Sequence, residues 1–459
     1  MPSIHDFVTW EPLLRLLRAG NPETVAAPGR HVAGRIGHDG WSVPLPPRFP
    51  PPGRAMQVED MQDEVDAVQR VQSALADVGL DRISYVAEMS STGRTMLHLL
   101  TFGPAVEAGV GPYPGSLILV EGSVPEPWRR LPHPVPGAVQ ARSVDPALLE
   151  RTLRERIPGA TGATETEIAA AEARLGIALP DELNALYRVT RARWQDWRDD
   201  YAAAQCVSDA VGFELFPLDA LYIADAPSRP CPWEFAATEA AVTPPDAAVQ
   251  GLVGSPGWIA FGDNGGGDRI AVDLTPGPRG HVGQIIMLGH EQNIGADLLA
   301  DSLTDLVVHR RRNRHSGHRG DQPPVVARVN IKSLTSVQAA ADPGLEVLSI
   351  GVWDREPLSL AAVTGLPRLH TLTAYPRTLA DPLEIAKLTG LEFLNLGPEE
   401  WRVLVDAGAV PRSLSAAAIT VHGDRHPLPV VAIANELLAL RKRPPILQTI
   451  LEGHLTPGV

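Results

Sequence analysis

The residues best placed to do chemistry are Asp263, Asn264 and Asp268, which bracket three glycines in the run Asp263-Asn264-Gly265-Gly266-Gly267-Asp268-Arg269. A glycine cluster of this kind invites a phosphate-binding reading, because bare backbone N–H groups can converge on an anion. A P-loop needs Lys and then Ser or Thr after its last glycine, and Asp268 and Arg269 stand there instead. A dinucleotide fingerprint opens a helix, whereas this cluster opens the alternating run Ile270, Val272, Leu274. An EF-hand sets its acidic ligands on alternate positions and closes on Glu, a pattern these residues lack. The cluster reads as a turn built of residues that tolerate positive φ, with a nucleotide or cation site as the alternative.

Other constellations stop short of a mechanism. His290-Glu291 begins a HExxH motif, but Ile294 occupies the second histidine position. His422 and His426 are four apart, yet Gly423 and Pro427 oppose a helix there. No GxSxG elbow occurs. Cys206 and Cys231 have no CxxC or ligand-like neighbour, which argues against a zinc module or disulfide scaffold and fits a reducing compartment. No catalytic residue, metal or cofactor is assigned. Trp194 and Trp197 lie three apart among Arg191, Arg193, Asp196, Arg198, Asp199 and Asp200. They read as packing under a sheet or as an exposed anchor, since Trp, Tyr and Arg dominate interface hot spots.

The glycine cluster must be held by strands. Ile259 and Phe261 alternate with Trp258 and Ala260, and the apolar run Val282 to Leu288 follows a second turn at Thr275-Pro276-Gly277-Pro278. This is an antiparallel meander. Ahead of it, Thr164-Glu165-Thr166-Glu167 forms a capping box, Gly176 a helix stop and Pro180 the start of a second helix. Glu214 to Leu218 is a short strand that Pro217 confines to an edge or an end. A helix from about Ala296 to Val308 closes the segment.

With 459 residues, about three domains are expected. The expected boundaries are a helix and proline-rich linker over 1–56, an α/β unit over 57–158, the meander domain over 160–312, a basic linker over 313–324, and a repeat domain over 325–459. The first helix spans about Trp10 to Arg18, capped by Thr9, and the prolines 44–52 read as a semi-rigid connector or an SH3-type ligand. In 57–158 a helix ends at Gly79, three strands follow, and Asp145-Pro146 caps a last helix. Gly344-Leu345-Glu346-Val347-Leu348 recurs as Gly390-Leu391-Glu392-Phe393-Leu394, with Gly365-Leu366-Pro367-Arg368-Leu369 between. The interval suits leucine-rich repeats, with Ser413 to Val421 as a degenerate strand and Val430 to Arg441 as a capping helix. An ordinary α/β domain is the alternative.

A net charge of −14 argues against general nucleic-acid binding and against anionic membranes. The basic run at 309–324 reads as a solvated linker, or as a local contact with an acidic partner. No apolar run reaches the roughly 20 residues that span a bilayer. With Asp6 and Glu11 where a leader would carry positive charge, the protein is expected to be cytoplasmic.

The segments EIAAAEARLGIALPDELNALYRV, ELFPLDAL, WIAFGDNGGGDRIAVDL and HVGQIIMLGHE together resemble the SUKH superfamily of fungal cell-wall regulators and bacterial immunity proteins. The Leu175, Gly176, Leu179, Pro180 pattern and the glycine cluster ending in Asp268 carry the resemblance. It implies an α+β domain with an antiparallel sheet and flanking helices, flanked here by an α/β unit and a leucine-rich-repeat-like domain. It also implies protein binding without catalysis, and an immunity protein that neutralises a toxin domain. A scaffold joining two endogenous partners is the alternative. The expected partner contacts are Asp263, Asn264, Asp268, Trp194 and Trp197.

Overall fold

The computed structural model describes residues 3–23, 30–46, 49, 53–55, 57–107, 117–119, 122–197, 200–311, 325–421 and 426–456. Most of the 44–52 proline run, His422 and the 313–324 linker lie outside the described residues. The α+β chain forms two compact units. One comprises Met1–Ser123, Pro232–Glu234 and Pro324–Val459, the other Val124–Cys231 and Phe235–Pro323.

In the first unit, α1 (Phe7–Gly20) buries Trp10, Leu13, Leu14 and Leu17 on one face. It begins before the expected Trp10, because the Thr9 hydroxyl donates to the Ser3 carbonyl at 2.6 Å and caps nothing. Strands β1 (Val32–Gly37), β2 (Gly40–Ser42), β3 (Arg82–Met89) and β4 (Arg94–Thr101) pair antiparallel. Helix α2 (Gln62–Asp77) packs Val68, Val71 and Leu75 into the same core as Tyr85, Leu97 and Leu99. Strands β5 (Val106–Glu107) and β6 (Leu117–Leu119) leave this sheet and pair with each other.

The second unit opens with α3 (Pro146–Arg156), capped by Asp145, whose carboxylate accepts from the Leu148 amide at 2.9 Å. In α4 (Glu165–Leu175) Thr164 and Glu167 form the capping box, and Gly176 stops the helix at φ 71°. Helix α5 (Asp181–Val189) follows Pro180. An unexpected α6 (Tyr201–Val211) is capped by Asp200 and ended by Gly212. The sheet takes the order β12-β11-β10-β9-β7, with β8 also on β9: β7 (Glu214–Leu215), β8 (Tyr222–Ile223), β9 (Trp258–Asp263), β10 (Arg269–Asp273), β11 (Gln284–Leu288) and β12 (Asp297–Ala300). The helix expected from Ala296 is instead β12 followed by α7 (Leu303–Val307). Pairing with β11 claims residues 297–300, and the Ser302 hydroxyl starts the helix by accepting from Asp305 N.

Both faces of β9 are buried. Ile259 and Phe261 join the helices α3 to α7 in one core. Trp258 and Ala260 meet a second core containing Ala224, Leu252 and Ile286. That cover is irregular chain, pinned by Arg229, whose guanidinium donates to the carbonyls of Val253 at 2.8 Å and of Gly295 and Gly289, each at 3.2 Å.

The remaining elements complete the first unit. Strands β13 (Val326–Val329), β14 (Val347–Ile350), β15 (Thr371–Ala374), β16 (Phe393–Leu396) and β17 (Ala416–Ile419) form a parallel ladder; β14, β15 and β16 fall in the segments that begin at Gly344, Gly365 and Gly390, β17 falls in 413–421, and β13 precedes them all. β6 closes it antiparallel against β17. Leu348, Leu372, Leu394 and Ala417 stand in register, so leucines stack from strand to strand. Helices α8 (Pro398–Asp406) and α9 (Pro427–Leu440) follow, and β18 (Leu447–His454) returns to pair with β4 over eight residues.

Asp273 is fully buried in β10, where its carboxylate accepts from Trp258 Nε1 at 2.9 Å, Thr275 N at 2.7 Å and Gln284 Nε2 at 2.8 Å. Burial raises its pKa to about 6 against these bonds. The folded state therefore binds this proton more tightly than the unfolded chain does. The resulting stability is present at low pH and is lost as pH rises through about 6. Carboxylates held low by ion pairs run the other way, so comparison with Asp273→Asn isolates the effect. From pH 4 to pH 7 the wild type should lose most of about 3 kcal/mol relative to the variant in denaturant titrations. Parallel profiles would contradict this account.

Candidate functional site

The β9–β10 turn is built from its own side chains. Asp263 is only 7% exposed. Its Oδ1 accepts from Gly265 N at 2.6 Å, and its Oδ2 pairs with Arg269. Asn264 is exposed, and its Oδ1 accepts from Gly266 N at 2.7 Å and Asp268 N at 3.2 Å while its Nδ2 donates to Asp268 Oδ2 at 2.6 Å. Gly265 and Gly267 take φ of 83° and 97°, which a side chain would resist. Asp268 reaches across to His290, accepting from its amide at 3.0 Å and meeting its Nδ1 at 2.8 Å. The His290 amide, then its imidazole, hold the Asp268 carboxyl below its ordinary range. His290 thus serves this turn rather than a HExxH helix.

Beside the turn lies a groove of about 750 Å³, lined by Trp194, Tyr201, Gln205, Phe213, Phe216 and Asn264 among others. Trp194 is 37% and Tyr201 77% exposed, with ring centroids 4.8 Å apart at 63°. Phe213 meets Phe261 edge-on at 5.4 Å. Gly262 permits this packing, since a Cβ there would lie 2.6 Å from the Phe213 ring. Arg269 lies over Phe216 at 5.6 Å, so the residue that secures Asp263 also covers an aromatic of the wall. Asp209, Glu214 and Arg310 add charged groups to the lining.

Trp194 and Asn264 therefore come together at one concavity, while Asp263 and Asp268 are spent inside the turn. Trp197 falls in the short 3-10 turn Trp194–Trp197, but its side chain lies outside the described residues. Tyr201, Phe213 and Phe216 join the site although no motif marks them in the sequence. The signal for Tyr201 was local: Asp200 before it and Gly212 after it delimit α6. The arrangement offers aromatic contact area with scattered hydrogen-bonding groups, the makeup of a recognition surface.

The geometry separates two roles. Asp263→Ala should lower stability by about 1–3 kcal/mol, since the amides of Gly265 and, at 3.5 Å, Gly267 lose their acceptor together with Arg269. Trp194→Ala should cost under about 1 kcal/mol, its side chain being partly outside the core. Denaturant midpoints test this, and equal losses would contradict the division.

Residues 162–308 match the family model of the SMI1/KNR4 family (SUKH-1), a span containing α4 to α7, the whole second-unit sheet and all of the groove's lining but Arg310. A glucan synthesis regulatory protein of Neurospora crassa is 38% identical over 78 residues, covering 17% of this chain and 15% of its own. The cell wall biosynthesis/cell cycle regulator smi1 of Schizosaccharomyces pombe is 45% identical over 49 residues, 11% of this chain and 10% of its own. A KNR4/SMI1 homolog of Yarrowia lipolytica is 47% identical over 47 residues, 10% of this chain and 7% of its own. The chain thus spans no more than 15% of the length of these relatives. None of the helices among the described residues is long and apolar enough to cross a membrane. Residues 162–308 form a domain of the SMI1/KNR4 (SUKH-1) family.

Proposed function

We propose that this chain is a non-enzymatic regulatory or scaffold protein of the cytoplasm that joins two endogenous protein partners. The observation that carries the reading is the aromatic groove within the matched segment, where Trp194, Tyr201 and Phe216 can anchor a partner side chain. Asn264 contacts the partner from the rim, Asp263 and Asp268 shape the turn that presents it, and Trp197 is a proposed contact from its sequence position beside Trp194 alone. The relatives' names, a glucan synthesis regulatory protein and a cell wall biosynthesis/cell cycle regulator, favour regulation over toxin neutralisation.

The second contact surface is the parallel ladder, read as a leucine-rich-repeat-like domain. Arg328, Ser349, Thr373 and Asn395 form a polar row in register across its strands. Neutralisation of a basic toxin domain is the second reading. It draws on the net charge of −14, since complementary charge speeds association.

The test is capture from lysate with the full-length chain. Wild type, Trp194→Ala with Asn264→Ala, and Ser349→Arg are compared, each checked for an unchanged melting temperature. A scaffold yields two partner sets, one lost with the groove variant and the other with Ser349→Arg. A single toxin domain, lost only with the groove variant, would replace the scaffold reading with neutralisation. Partners retained by every variant would overturn both.

A further inference from the structure

β18 is an edge strand of the first unit's antiparallel sheet, whose order is β18-β4-β3-β1-β2. The Leu455 amide donates to the Gly93 carbonyl at 2.9 Å. Alternation from that pair turns the backbone groups of Leu447, Thr449, Leu451 and Gly453 toward β4. The N–H and C=O groups of Gln448, Ile450, Glu452 and His454 consequently face outward, and no strand among the described residues pairs with them. Edges are normally blunted by proline, lysine, a bulge or short length. β18 has no proline, lysine or bulge, and its one acidic side chain, Glu452, is paired with Arg94 on β4; it runs eight residues in unbroken register, with Leu447 63% and Ile450 51% exposed. The opposite edge, β2, is only three residues long.

The outward row is complementary to itself. About a two-fold axis through Ile450, an antiparallel copy sets Ile450 against its own counterpart. Gln448 then stands against Glu452 of the copy, and Glu452 against the copy's Gln448. All three are hydrogen-bonded pairs, because all three residues present outward backbone groups. The half-exposed isoleucines cover one another and no like charges are opposed; Gln448 Nε2, which meets His98 Nδ1 at 2.7 Å, has a second N–H to offer the copy's Glu452, whose carboxylate lies 3.9 Å from Arg94 in an exposed pair. An unrelated strand would need this pattern supplied, whereas a second copy brings it at equal concentration.

We propose that β18 is the interface of a symmetric dimer, pairing antiparallel with β18 of a second copy so that the two sheets become continuous. The contact lies outside the family-matched segment and is independent of the groove.

The full-length chain is tested with Cys206 and Cys231 replaced by serine. Ile450→Cys should give a disulfide-linked dimer under mild oxidation, since opposed residues of a hydrogen-bonded pair sit about 5.5 Å apart at Cα, within disulfide reach. Leu447→Cys, set against Gly453 of the copy, should stay uncrosslinked. In sedimentation equilibrium, wild type should dimerise and Ile450→Lys should weaken the dimer about tenfold or more with an unchanged circular dichroism spectrum. A wild type monomeric across the concentration series, a dimer that Ile450→Lys leaves intact, or equal crosslinking at both cysteines would overturn the proposal.

Discussion

β9 has no solvent face, and that constraint organises the second unit. Its odd residues, Ile259 and Phe261, need the helices; its even ones, Trp258 and Ala260, need a second cover from the chain around Ala224 and Leu252. Trp258 carries an indole N–H into that second core, where an unmet donor would be costly. Asp273 on the neighbouring strand accepts it, and Thr275 and Gln284 complete the carboxylate's bonds. One buried hydrogen-bonded group thus joins β9, β10 and β11. Such groups are strong only while every member is satisfied.

The groove inherits its rigidity from that strand. Phe261 supports Phe213, Gly262 leaves room for it, and Asp263 ends the strand by fixing the turn that carries Asn264. The turn's polar side chains are committed to one another and to Arg269 and His290. A surface held this way loses little entropy when a partner arrives, which favours binding without new contacts. The carboxylates of Asp263 and Asp268 are thus bound into the turn itself.

Legibility followed locality. The Thr164–Glu167 box, the Gly176 stop and the Asp145 cap are decided within a few residues, and the structure has each where the sequence puts it. The meander was equally plain, because alternation and glycine turns are local signals. The apolar run near Leu299 has helical spacing, but pairing with β11 claimed its first part. The irregular cover over Trp258 has no period to read, and its Arg229 bonds span up to 66 residues. The return of β18 to β4 joins positions more than 300 residues apart, which no window of sequence displays. In the site, Trp194 and Asn264 were visible as types, whereas Phe213 and Phe216 join them only through the fold.

The central claim is that the groove inside the SUKH-1 segment receives a protein partner. The most direct measurement is amide hydrogen exchange on the full-length chain, free and bound to a partner it captures from lysate. The account predicts new protection in α6, in residues 213–217 and in the turn 264–267, with the core of β9 unchanged. Protection confined to other surfaces, with α6 and the turn exchanging as in the free chain, would contradict it.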